Sequence, residues 1–192
     1  GLIRGWGLSQ IPIELLKRAQ AVTPLTALQS IYSMVERSVE AEIIPYCVEN
    51  RIGFVAFSPI SSGFLSGKVT AATQFEKVDD VRNFVPQLKP ENLAANQPIL
   101  DLIAKFANAK NATNAQISLA WMIKKYPNVV PIPGSKNQGR ILENLGATNV
   151  ELTDVEFAEL DKSLSALKVY GHRGHDESRG KSFLNVEEKI NG

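Results

Sequence analysis

Ile52-Gly53-Phe54-Val55-Ala56-Phe57 is apolar throughout and stops at Ser58-Pro59. Such a run, with no polar alternation, fits a parallel strand covered on both faces. The proline excludes its continuation inside a sheet. On either side, short apolar segments read as further strands: Leu2-Ile3 to Trp6-Gly7-Leu8, Leu25 to Gln29 after Thr23-Pro24, and Val129 to Ile132. Helical patterns fill the intervals. Pro12 suits a first turn, Glu14 favours the positive end of the dipole, and Leu15, Leu16 and Ala19 share a face. From Ser38 the apolar face is Ile43, Ile44, Cys47 and Val48, with a break expected at Pro45. Pro98 opens a helix whose stripe is Ile99, Leu100, Ile103, Phe106 and Ala107. Three capping-box spacings follow, Thr113-x-x-Gln116, Ser135-x-x-Gln138 and Thr153-x-x-Glu156, the last leading into Leu160, Leu164 and Leu167. Between Ser58 and Ala95 the chain is irregular, and a loop of that length in a compact domain is commonly functional.

Strands alternating with helices imply βαβ units and a parallel sheet. The pattern amounts to half of an eight-fold barrel, whereas a closed barrel takes roughly 250 residues. A small open doubly wound sheet is the alternative. The 192 residues carry 21 Lys+Arg against 20 Asp+Glu, which leaves no broad positive field for nucleic acid. With 44% apolar residues the chain should fold. No stretch reaches the roughly 18 to 20 apolar residues of a membrane span. A single cysteine, Cys47, cannot form an internal disulfide, so a reducing, cytoplasmic compartment is expected. Residues 1–168 read as the folded body and 169–192 as a loose tail. The absent initiator methionine reads as truncation.

In either architecture ligands bind at the carboxyl ends of the strands. The segments there are rich in hydroxyls, amides and glycine, and none holds a charged acid/base pair. Gly134-Ser135-Lys136 opens a helix whose free amides and dipole attract an anion, with Lys136 and Arg140 adding charge; the alternative is that Ser135 merely caps the helix and both cations are solvated. Gly63-Phe64-Leu65-Ser66-Gly67-Lys68 could wrap a pyrophosphate with backbone amides, although it departs from the phosphate-loop pattern in glycine spacing and in having Val69 in place of the hydroxyl. Phe57 is either core or a face for a planar ring. His172 and His175 lie three apart without a third metal ligand, and Cys47 reads as a small core residue rather than a nucleophile.

Gly7-Leu8-Ser9, Leu28-Gln29-Ser30-Ile31-Tyr32-Ser33, Gly53 to Ile60 with Gly63 to Lys68, and Ile132 to Lys136 with Arg140 and Glu143-Asn144 together resemble the C-terminal half of an aldo-keto reductase. Within that family the blocks are most similar to the branch that reduces small aldehydes, pyridoxal among them. The resemblance implies a (β/α)8 TIM barrel of which these strands are the fifth to eighth, and NADP as cofactor. It implies Ser9, Gln10 and Gln29 on the nicotinamide carboxamide and Phe57 stacked on the nicotinamide. It implies Ser58, Ile60, Gly63, Leu65, Gly67 and Lys68 along the pyrophosphate. Gly134, Ser135, Lys136 and Arg140 would take the ribose 2′-phosphate, with Glu143 and Asn144 on the adenine. The family's catalytic Asp, Tyr, Lys and His belong to the first four strands, so no catalytic residue is carried over; Tyr32, Tyr46, Tyr126 and Tyr170 match no catalytic motif. The implied partners are a small carbonyl substrate and either the missing N-terminal half of the barrel or a second copy of the chain. The isolated chain is expected to be inactive as a reductase. A non-catalytic NADP-binding or regulatory module and an inactive truncated half-barrel are the rival readings.

Overall fold

The computed structural model describes residues 1–75 and 80–173. Its four strands, β1 (Gly7–Ser9), β2 (Ala27–Ile31), β3 (Gly53–Phe57) and β4 (Val129–Ile132), form one sheet in the order β1-β2-β3-β4. Every neighbouring pair is parallel, with Leu8 opposite Leu28, Leu28 opposite Phe54 and Phe54 opposite Val129. A doubly wound sheet reverses its strand order part-way. This sheet does not, so the progression is that of a barrel wall.

Parallel neighbours can be joined only by a crossover, and helices supply it. They are α1 (Ile13–Val22), α2 (Ile43–Glu49), α3 (Pro90–Ala95), α4 (Gln97–Lys110), α5 (Asn114–Lys125), α6 (Gln138–Leu145) and α7 (Asp154–Ser165). One face of the sheet meets them: Leu28, Phe54 and Ala56 are fully buried and Val129 nearly so, in one cluster with Ile99, Ile103 and Trp121. The opposite face is open at Val130, 57% exposed, and Ile132, 44% exposed. The strand expected to be covered on both faces is therefore covered on one. Its residues alternate between buried and half-buried, because the described helices lie to one side.

Other expectations shift for local reasons. Leu2 and Ile3 are exposed rather than part of β1, which pairs with β2 only from Gly7. The break near Pro45 falls earlier: a 3-10 turn at Ser38–Glu40 ends before α2, and Pro45 sits in the first turn of α2, where a missing N–H is tolerated. Val48 is 43% exposed, off the buried face that Ile44 and Cys47 share. The irregular stretch contains 3-10 turns at Ser61–Ser66, Val81–Phe84 and Pro86–Leu88 and then α3. Two capping boxes form as their spacing predicts, Thr113 with Gln116 and Thr153 with Glu156. The third does not: Asn137, not Ser135, caps α6, its side chain accepting from Arg140 N at 3.0 Å. Ser135 Oγ instead accepts from Asn137 N at 3.1 Å, shaping the turn before the helix. Of the expected loose tail, Tyr170 and His172 are tied by hydrogen bonds to Asn96 and Gln87, and residues 174–192 lie outside the described residues. No described helix is long and apolar enough to cross a membrane.

Glu156 carries a testable consequence. Lys110 and the Thr153 cap hold its carboxyl down at about 2, from 4.5. Its folded pKa is depressed, so its stabilising contribution is complete above 4.5 and is lost as pH falls towards 2. Glu156→Gln should flatten the stability profile across that window in acid denaturation followed by circular dichroism, leaving the profile near pH 7 parallel to wild type.

Candidate functional site

The carboxyl ends of β3 and β4 open into a cleft of about 1130 Å³. Ser58, Ile60, Ser62 and Gly63 line one wall, Ile132 to Lys136 the floor beside β4, and Arg140, Glu143 and Asn144 on α6 the other wall. Small-molecule sites commonly run about 300–1,000 Å³, so the space suits an extended ligand. The turn after β3 is tightly folded. Ser58, Ser61 and Ser62 have φ of 52°, 49° and 56°, and Gly63 and Gly67 have 96° and 69°. Positive φ at the consecutive non-glycine positions Ser61 and Ser62 costs conformational energy and recurs at ligand clamps, while Gly63 adopts it freely.

The sixteen residues expected at the site separate by location. Ser58, Ile60, Gly63, Lys68, Gly134, Ser135, Lys136, Arg140, Glu143 and Asn144 line the cleft. Ser9, Gln10 and Gln29 form a neighbouring exposed cluster at the ends of β1 and β2: Ser9 is opposite Gln29 in the sheet, and Gln10 N donates to Gln29 O at 2.9 Å. Phe57, half-buried, ends β3 between this cluster and the cleft-lining Ser58. Gly67 lies on a separate cavity of about 310 Å³ shared with Leu93, Leu100 and Asn114. Leu65 lines neither of these two cavities; its side chain is fully buried and its amide donates to Ile60 O. It anchors the turn from within the core.

Four of the six amides expected to form a cradle over Gly63 to Lys68 are engaged within the protein. The amides of Gly63 and Leu65 donate to Ile60 O, that of Gly67 to Phe64 O, and that of Lys68 to Ser66 Oγ. All four close turns. The cleft's charge comes from side chains instead. Lys68 Nζ lies 3.0 Å from Glu143 Oε2. Burial pushes the Glu143 carboxyl up, but hydrogen bonds from Lys68 and Thr113, with Arg140 nearby, outweigh it and hold the group below its ordinary range. Arg82 is engaged by both carboxylate oxygens of Asp80 and stacks 4.3 Å over the Phe75 ring. Lys136, Arg140 and Arg173 line the cleft with no salt bridge among the described residues. Asp80, Arg82 and Arg173 carried no sequence signal: they come from polar stretches far from the glycine-rich blocks.

Candidates outside the cleft resolve as structural groups. Tyr32 is fully buried and donates to Glu40 Oε1 at 2.6 Å, and burial with Glu40 raises its pKa far above the ordinary phenol value. Arg37 binds both Glu40 and Asp161, and Asp161 accepts from Lys125 and Trp121 Nε1, which ties the turn after β2 to α5 and α7. His172 supplies a backbone carbonyl to Gln87 N, and His175 lies outside the described residues. No group of three metal-ligating side chains occurs among the described residues.

With this geometry in place, comparison is informative. Residues 1–165 match the profile of the aldo/keto reductase family. The chain belongs to that family. It is 33% identical over 189 residues to "Aldo-keto reductase yakc [NADP(+)]" of Schizosaccharomyces pombe, covering 97% of this chain and 55% of that protein. It is 34% identical over 173 residues to "Probable aldo-keto reductase 1" of Glycine max, covering 90% and 49%. The chain thus spans about half the length of these relatives. The glycerol dehydrogenase of Gluconobacter oxydans superimposes with a TM-score of 0.76 at 25% identity, over 85% of this chain and 49% of that one. An aldo-keto reductase from Klebsiella pneumoniae, in complex with NADPH, gives 0.59 at 25% identity over 84% and 48%. The sheet is accordingly part of an aldo-keto reductase (β/α)8 barrel.

Burial pushes the Cys47 thiol up to about 11, so little thiolate exists at neutral pH. Iodoacetamide at pH 7.5 should leave Cys47 unmodified in the native aldo-keto reductase chain and alkylate it fully in denaturant, as read by intact mass.

Proposed function

We propose that this chain is the cofactor-holding part of an NADP-dependent aldo-keto reductase, a member of the family's fifth-to-eighth-strand region, and that it forms a working reductase with the remaining strands of a barrel. The observation that carries the reading is the cleft at the ends of β3 and β4, where Lys136 and Arg140 stand beside Ser135 without salt-bridge partners among the described residues. Cations without a salt bridge around a long cleft fit a ligand bearing several phosphates. The naming of the S. pombe relative for NADP(+) and the NADPH in the Klebsiella structure support the choice of ligand.

In this reading Ser135, Lys136 and Arg140 bind the 2′-phosphate. Glu143 and Asn144 meet the adenine. Ser58, Ile60 and Gly63 flank the diphosphate, Phe57 offers its ring to the nicotinamide, and the Ser9, Gln10 and Gln29 cluster orients the carboxamide. Bound NADPH supplies the hydride that reduces an aldehyde or ketone to an alcohol. The proton must come from a group outside this chain's matched motifs: Tyr32 is locked in the core by Glu40 and is no acid for the cleft. The open sheet face at Val130 and Ile132 is where the rest of the barrel, or a second copy, would pack.

Lys136→Ala and Arg140→Ala should each weaken NADPH binding roughly tenfold, since a charge-assisted hydrogen bond contributes about 1.5–3 kcal/mol. Fluorescence titration measures this, and unchanged affinity in both variants would sink the reading. Purified polypeptide of these 192 residues should show no oxidation of NADPH with an aromatic aldehyde. Steady turnover by material of verified mass would show that the chain supplies its own acid.

A further inference from the structure

Arg173 reaches the cleft by a route that none of the glycine-rich blocks provides. It lines the same cleft as Ser62, Gly63, Lys136 and Arg140. The chain leading to it is strapped to the body on both sides of Gly171. Tyr170 N donates to Asn96 Oδ1 at 2.9 Å, Asn96 Nδ2 donates to Tyr170 O at 2.8 Å, and Gln87 N donates to His172 O at 3.2 Å. Asn96 is fully buried and Gln87 is 1% exposed, so the anchors are buried polar groups with their partners in place. Gly171, between them, has φ of 71°, and a Cβ there would stand 2.8 Å from the Gln87 backbone and from Asn92 Nδ2. Only glycine fits this crossing.

Gln87 also fixes which wall Arg173 joins. Its side-chain oxygen accepts from Ser61 Oγ, and Ser61 precedes Ser62 and Gly63 on the β3 wall. Gln87 therefore ties the strap to the turn after β3, its backbone N–H donating to the strap and its side-chain oxygen accepting from the turn, while Lys136 and Arg140 approach from β4 and α6. Arg173 is half-buried and, among the described residues, makes no salt bridge and has its buried Nε without a hydrogen-bond partner. Burial pushes its pKa down from the ordinary guanidinium value. A partly desolvated guanidinium without a counter-ion is unfavourable unless a ligand supplies the acceptor oxygens.

We propose that Arg173 is a ligand-binding residue of the β3 wall, carried there by the Tyr170–His172 strap to bind the diphosphate of the dinucleotide. The proposal rests on the NADP reading above and adds to it a cation that the strap, rather than β4 or α6, brings to the cleft.

The test titrates the intact protein with NADPH and with ADP-ribose, which carries the diphosphate and lacks the 2′-phosphate. Arg173→Ala should weaken both ligands by roughly tenfold or more, and Arg173→Lys should recover part of the loss. Gly171→Ala should reproduce most of the loss by dislodging the strap, and adding Arg173→Ala to it should cost little more. Affinity for both ligands within twofold of wild type in Arg173→Ala, while Lys136→Ala still weakens NADPH, would overturn the role of Arg173 and leave the NADP reading standing. A loss for NADPH alone would move Arg173 to the 2′-phosphate and overturn the diphosphate assignment. If neither the Arg173 nor the Lys136 variant changes NADPH binding, both readings fail. Should Gly171→Ala lower the melting temperature severely, the Arg173→Ala and Arg173→Lys pair decides alone.

Discussion

Parallel pairing constrains everything else in this chain. Two parallel neighbours cannot be joined by a tight turn, so each of the steps from β1 to β4 must leave the sheet at a carboxyl end and return along its side. The turns that leave the strands therefore gather at one edge, and the helices that return gather on the covered face. Leu28, Phe54 and Val129, aligned across three strands, are the row on which the helices pack. The next row along, Gln29, Val55 and Val130, points the other way and stays accessible.

That arrangement explains how a nearly neutral chain makes a cationic cleft. The net charge of +1 is an average over pairs such as Lys110 with Glu156 and Lys125 with Asp161, which engage one another on the helical layer. Within the cleft, Lys68 and Arg82 are also engaged, by Glu143 and Asp80. Lys136, Arg140 and Arg173 are the cations there without a salt bridge among the described residues. Lys136 and Arg140 lie four residues apart after β4, whereas Arg173 is distant in the chain and reaches the same space through the Gln87-anchored strap. The surrounding backbone is held by buried hydrogen bonds, Ser61 to Gln87 and Asn96 to Tyr170 among them, so the cleft walls are positioned from behind.

Elements with strong local signals were legible. Val129–Ile132 is a strand as its short apolar run predicts, and the Thr113 and Thr153 capping boxes start helices where their spacing places them. Ser135 misled because Asn137, two residues on, competes for the same cap and wins through its carbonyl oxygen. Gly63 to Lys68 misled in a different way. Its glycines do permit left-handed backbone, but the amides of Gly63, Leu65, Gly67 and Lys68 close their own turns. Leu65 shows the same limit: periodicity does not say which face of a short turn meets the core.

The order of strands and helices, the family, and the residues flanking β3 and β4 were set by sequence alone, because apolar runs, caps and prolines act over a few neighbouring residues. Tertiary structure decided which face of the sheet stays open, which cations are already paired, and that Arg173 joins a wall built around residues 58 to 63. These depend on contacts between segments far apart in the chain, of which the Gln87 link from Ser61 to His172 is the clearest, and no local spacing encodes them.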